Sequence, residues 1–185
     1  MASALSDDQI LALIKHQQTR DEGFTKLVQT YQERIYWHVR KFLFDHDDAN
    51  DVVQNTFIKA YKGLKNFKGR SKLYTWLFKI ASNEAITFLN QKTRKQMQSL
   101  DGTPHAVVDK LAGDPFFDGD EIQLQLQKAI ALLPGKQRLV FNMRYYDELS
   151  YKEISEILET STGALKASYH HAVKKIEQFF KDVHT

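Results

Sequence analysis

Apolar residues recur every three or four positions along most of this chain, the spacing of helices that turn one face to a core. Ser6 followed by Gln9 fits a capping box, and Ile10, Leu11, Leu13 and Ile14 come directly after it. Phe24, Leu27, Val28, Tyr31, Ile35 and Val39 make a second stripe, and Val53, Phe57, Tyr61 and Leu64 a third. Between those two, Asp45, His46, Asp47 and Asp48 supply turn and N-cap chemistry. After a break at 66–71, with Gly69 as its pliant point, a further helix is predicted over 73–94.

From Gln98 to Asp120 the periodicity fails, and Gly102, Pro104, Gly113, Pro115 and Gly119 appear among acidic residues. This predicts a flexible linker between two domains. A loop docked on one domain through Phe116 and Phe117 is the other reading open here. Helix returns with Ile122, Leu124, Leu126, Ile130 and Leu133. Pro134 then begins a new helix, where its missing N–H is harmless. Ser150 and Glu153 form a second capping box, opening a short helix to 158. A turn at 159–162 leads to a last helix over 163–183, with Leu165, Tyr169, Val173, Ile176 and Phe180 on one side. The expected fold is therefore all-α: two small helical domains over 1–95 and 122–185, joined by a flexible acidic linker over 96–121.

Composition narrows the class. Eight Gly and three Pro in 185 residues are few for a turn-rich β fold. The absence of cysteine excludes disulfides and thiolate metal sites. With no basic-then-apolar leader and no stretch of about 20 apolar residues, a cytoplasmic protein is expected. Charge is more informative than the net +3 suggests. Residues 1–60 hold seven Lys or Arg against nine Asp or Glu, and 99–121 hold one against six. Residues 61–95 reverse this, with nine Lys or Arg and one acid, Glu84. Six aromatics are threaded through the same stretch: Tyr61, Phe67, Tyr74, Trp76, Phe78 and Phe88. Cations track a phosphate backbone, and a ring stacks on a base that has left the duplex. Core aromatics beneath a solvated lysine face would produce the same composition, so both readings stand at this point.

The C-terminal pattern, a short helix, a tight turn and a helix carrying Lys166, His170 and Lys174, fits a helix-turn-helix. Two amphipathic helices of any small bundle also fit it. The adjacent His170 and His171 point about 100° apart on a helix, so they do not form a bidentate metal site.

Order along the chain is more specific than composition. Asp48, Ala49, Asp51 and Gln54 precede the run from Phe67 through Ser71, Trp76 and Ile80 to Asn83. This resembles region 2 of the bacterial extracytoplasmic-function sigma factors, the smallest members of the sigma-70 family. The segments 132–138, 150–155 and 162–168 resemble region 4 of the same family. The resemblance spans 23–95 and 124–180.

The resemblance implies a subunit without chemistry of its own. It would bind core RNA polymerase through the clamp of the largest subunit and the flap, recognise duplex promoter DNA, and capture single-stranded DNA on melting. An anti-sigma factor is a further implied partner; no cofactor, metal or small-molecule substrate is. It places Asp48, Asp51, Gln54 and Asn55 on the clamp. It places Trp76, Ile80 and Asn83 on the promoter-melting face; their spacing puts them on one side of a helix. The loop of Phe67, Lys68, Arg70, Ser71 and Lys72 would pocket a flipped base of the minus-10 element, with Lys79 also holding the strand. Tyr61, Tyr74, Phe78 and Phe88 are then left for the core. Lys166, Ser168, His170, His171, Lys174 and Lys175 would meet the minus-35 element. Ser168 stands where relatives commonly carry Arg, and it cannot make the bidentate contact to guanine. Two other classes compete. A helix-turn-helix regulator working without polymerase would need neither the clamp helix nor region 2. An enzyme would need a nucleophile–base pair, a phosphate-cradling loop or a ligand cluster, and the sequence offers none.

Overall fold

A computed structural model of the chain describes residues 5–98 and 120–183. Eight α-helices are formed among the described residues: α1 (Asp7–Lys15), α2 (Arg20–Leu43), α3 (His46–Gly63), α4 (Leu73–Gln98), α5 (Glu121–Ala131), α6 (Gly135–Tyr145), α7 (Tyr151–Leu158) and α8 (Thr162–Val183). A single 3₁₀ turn at Leu64–Asn66 follows α3. The all-α architecture with two helical units matches the expectation from periodicity.

Local chemistry accounts for most boundaries. Both capping boxes form: the Ser6 hydroxyl with Gln9, and the Ser150 hydroxyl with Glu153. The Asp45 side chain accepts from the Asp48 backbone N–H at 3.1 Å and starts α3. α1 lies tight against α2, because a Cβ on Gly23 would sit 2.8 Å from side-chain atoms of Leu13 and Ile14. Three boundaries differ from the sequence reading. α4 continues four residues past the expected end at 94, since Arg94, Lys95 and Gln96 are good helix formers with no Gly or Pro to stop them. Pro134 is the N-cap of α6 and precedes its first helical residue. Of the expected linker, 96–98 belong to α4 and Asp120 caps α5, while 99–119 lie outside the described residues.

The two helical units share a core. Leu139, Val140, Met143, Leu149, Ile154, Ile157 and Leu165 are buried in one apolar cluster with Leu27, Ile35, Val39, Phe42 and Phe78. Phe44 reciprocates from the other side. It ends α2 in the left-handed conformation, φ 62°, and its ring is buried with Ile130, Phe141 and Ala172. That backbone geometry costs a non-glycine residue about 1 kcal/mol, which ring burial offsets.

Polar groups tie the same seam. α2 leaves the carbonyls of its last turn without helical partners. The Arg138 guanidinium donates to the Phe42 carbonyl at 3.1 Å and to those of Ala131 and Leu133 at 2.6 and 3.2 Å. It also stacks over the rings of Phe42 and Phe44. Burial pulls its pKa down to about 10, so it stays charged at neutral pH. The Asn142 amide donates to the Lys41 carbonyl at 3.0 Å. His38, 1% exposed, lies 2.7 Å from an Asp147 carboxylate oxygen. Burial pushes the Asp147 carboxyl up, but the His38 hydrogen bond and charge, with Lys41 and Arg34, outweigh that and hold it below its ordinary value.

Two outcomes are expected. Arg138→Met strips three buried carbonyls of this donor and should lower stability by about 3 kcal/mol, a fall of roughly 6–12 °C in the midpoint of a thermal melt followed by circular dichroism. A shift of less than about 2 °C would show the guanidinium to be dispensable. Because the Asp147 carboxyl is depressed when packed, its contribution is complete above 3.8 and is lost as pH falls through the lower packed value. Stability measured by urea titration should therefore decline in acid below 3.8 more steeply for the natural chain than for Asp147→Asn.

Candidate nucleic-acid interface

The expected site residues fall on three surfaces. The first is the exposed side of α3. Asp51, Gln54 and Asn55 are solvent-exposed there, successive turns of one helix. Asp48 is set apart: it is half-buried, and its carboxylate is paired with the Lys92 ammonium of α4.

The second surface joins the 67–72 loop to α4. Gly69 turns the loop at φ +65°, a conformation that L residues adopt at a cost. Lys68, Arg70 and Lys72 are exposed around it, and Ser71 is half-buried. The Phe67 ring packs 5.1 Å from the Trp76 indole, which also rests on Gly63. Trp76 and Ile80 are half-buried and Asn83 is exposed. Beside the loop is a cleft of about 530 Å³ lined by Leu11, Ile14, Leu64 and Phe67, with Lys15, Arg20, Lys65 and Lys68. An apolar lining with cations around it suits a flat ring attached to a phosphate. Lys15 and Arg20 were not singled out from sequence, because the end of α1 and the start of α2 are distant along the chain and only the fold brings them to the loop; Lys65, next to the loop, was counted only within the basic 61–95 stretch.

The third surface is the outer face of α8. Glu159 turns the chain between α7 and α8 in the left-handed conformation, φ 50°. Ser161 then accepts from the Ala164 backbone N–H at 3.3 Å. Leu165, Ala172 and Ile176 are buried, and Lys166, His170, His171, Lys174 and Lys175 are exposed on the other side. Ser168 is half-buried. Among the described residues no group of three or more His, Cys, Asp or Glu could hold a metal ion.

The basic 61–95 stretch is thus divided by burial. Phe78 is core, Tyr74 and Phe88 are half-buried, and Tyr61 departs from the core expectation. Tyr61 is 37% exposed, and its hydroxyl donates to Asp21 at 2.8 Å beneath the Arg20 guanidinium. Its position on an apolar stripe concealed this, because the ring's polar tip satisfies itself at the surface.

The second surface also has neighbours the sequence did not announce. Lys79 pairs with Glu159 at 2.7 Å, and the Tyr74 hydroxyl donates to the Glu153 carboxylate. That donor, aided by the Ser150 backbone and hydroxyl, holds the Glu153 carboxyl at about 2. Asn83 faces a cleft lined by Leu158, Thr160, Gly135 and Lys136. The helix-turn-helix unit therefore lies along one flank of the α4 face.

Comparison with known proteins matches residues 27–95 to sigma-70 region 2 and residues 123–176 to sigma-70 region 4. The RNA polymerase sigma-H factor of Pseudomonas aeruginosa is 31% identical, over 94% of this chain and 95% of that protein. The ECF RNA polymerase sigma-E factor of Escherichia coli is 30% identical, over 96% and 95%. Two solved structures share the fold. The sigma factor RpoE in complex with the anti-sigma factor NepR, from Bartonella quintana, superposes with TM-score 0.67 at 22% identity, over 85% of this chain and 96% of that one. CnrH in complex with the cytosolic domain of CnrY gives 0.67 at 20%, over 95% and 97%. With both conserved regions matched in order and near-full-length relatives, this chain belongs to the sigma-70 family, as an RNA polymerase sigma factor of the extracytoplasmic-function group.

Proposed function

We propose that the chain is the promoter-recognition subunit of an RNA polymerase, with residues 1–95 docking on the clamp and opening the minus-10 element. Residues 122–185 engage the flap and the minus-35 element. A sigma factor is a non-enzymatic initiation factor, so its work is binding and DNA deformation. The observation that supports this most is the segregation of chemistry on one helical unit. α3 exposes Asp51, Gln54 and Asn55, while Lys68, Arg70 and Lys72 surround the Trp76–Asn83 face. An acidic-and-amide face suits a basic protein surface, and a cationic face with an indole suits a nucleic-acid strand.

In this reading Trp76 and Ile80 wedge into the base stack as it opens, and the Asn83 carboxamide offers donor and acceptor to a base edge. The loop of Phe67, Lys68, Arg70, Ser71 and Lys72, with the cleft beside it, takes one flipped base. Flipping costs a few kcal/mol, which pocket contacts offset. Lys79 adds a phosphate contact. Asp48 acts beside Asp51, oriented by Lys92. α8 enters the major groove with Lys166, Ser168, His170, His171, Lys174 and Lys175. Because Ser168 lacks the guanidinium fork, recognition there leans on phosphates and DNA shape. Such work belongs to the cytoplasm; no helix among the described residues is long and apolar enough to cross a membrane. An anti-sigma factor, the partner in the Bartonella quintana structure, is a reasonable regulator.

Asp51→Arg should weaken co-purification with core polymerase about tenfold or more, about 1.4 kcal/mol, with an unchanged circular dichroism spectrum. Retention of wild-type binding would remove α3 from the contact. Asn83→Ala should reduce permanganate-detected promoter opening while core binding stays within about twofold. Equal loss of both would assign Asn83 a purely structural role.

A further inference from the structure

Four cations converge on the cleft beside the 67–72 loop: Lys15 from α1, Arg20 from α2, and Lys65 and Lys68. No acid lines it. Among the described residues none of the four is in an ion pair, whereas Lys59, Lys79 and Lys92 each meet a carboxylate. Like charges gathered on the walls of a cleft repel one another and concentrate anions there. One flipped nucleotide brings a single phosphate charge, which leaves most of that positive charge unanswered. The space is also larger than a base. At about 530 Å³ it falls within the roughly 300–1,000 Å³ of sites that enclose whole small molecules.

The corner between α1 and α2 fixes part of this charge in place. Arg20 is half-buried, and its guanidinium donates to the Tyr61 carbonyl near the end of α3 at 3.1 Å. It also lies 4.9 Å over the Tyr61 ring, whose hydroxyl donates to Asp21 at 2.8 Å. The carbonyl takes one of five N–H donors, and because the group is planar it sets the direction of the rest. Lys15 is exposed at the end of α1. Between these cations the floor is apolar, with Ile14 and Leu64 buried and Leu11 and Phe67 half-buried. The Phe67 ring lines the cleft and packs 5.1 Å from the Trp76 indole, so a strand leaving the α4 face reaches the cleft past Phe67. Gly69, which also lines it, has open space where a Cβ would be.

We propose that the cleft between the α1–α2 corner and the loop is a second nucleotide subsite. It takes the nucleotide adjoining the flipped base on the opened strand, with the ring on the apolar floor and the phosphate on Arg20 and Lys15. This rests on the reading that the loop and the Trp76–Asn83 face capture single-stranded DNA. The test is fluorescence anisotropy of the full-length chain with a labelled pool of random single-stranded 20-mers, over a salt series. Arg20→Gln removes the fork and Lys15→Glu reverses an exposed charge, so a fold defect in the first leaves the second decisive. Each should weaken binding about fivefold or more, and Arg20→Gln should flatten the salt slope by about 0.7, one phosphate contact on a single strand. Both variants binding within about twofold of the natural chain, with Asn83→Ala weakened, would overturn the subsite and leave the DNA-face reading standing. No loss in any of the three would remove that reading and the subsite together. Displacement of the 20-mers by thymidine monophosphate at matched nucleotide concentration would assign the cleft to free nucleotides and overturn its place on the strand.

Discussion

A helix that ends inside a protein must find donors for the carbonyl oxygens of its last turn. In this chain that requirement falls on α2, the central helix of the N-terminal unit, and it is met by Arg138 and Asn142 of the other unit. Much of the arrangement follows. Phe44 can adopt its left-handed backbone because its ring is buried under the same guanidinium. His38, two turns earlier, is then brought to Asp147. The joint is thus built from main-chain hydrogen bonding as well as apolar contact, which fixes its register more narrowly than a greasy patch could.

Charge is distributed so that one surface has alternative occupants. The cations around α4 are complementary to phosphate, and Glu153 and Glu159 present carboxylates with similar geometry. α3 keeps its acidic side outward, away from the seam. The proposed protein contact and the proposed DNA contact are therefore placed differently with respect to the seam: the first is open, the second is flanked.

The helices were legible because their stripes are long and their starts carry explicit caps, as at Ser6, Asp45 and Ser150. The α4 face was legible because Trp76, Ile80 and Asn83 share a helical side whatever surrounds them. The seam was not. His38 interrupts the stripe from Ile35 to Phe42, and Arg138 and Asn142 stand among apolar residues of α6. Such positions signal a buried polar group but not its partner, which lies about a hundred residues away, as Phe42 does from Arg138. Tyr61 failed in the opposite sense, since an amphipathic ring follows an apolar stripe and still reaches water. Chain ends of helices were least legible where, as in α4, no Gly or Pro marks the stop.

The joint between the units also has a thermal character. Apolar burial weakens on cooling, and the penalty for taking ions out of water grows as temperature falls. Both contributions of the seam, the shared apolar cluster and the buried charges of Arg138 and Asp147, lose ground in the same direction. The interior of each helical unit has far more packing to draw on. Chilling therefore weakens the joint between the units from both sources at once.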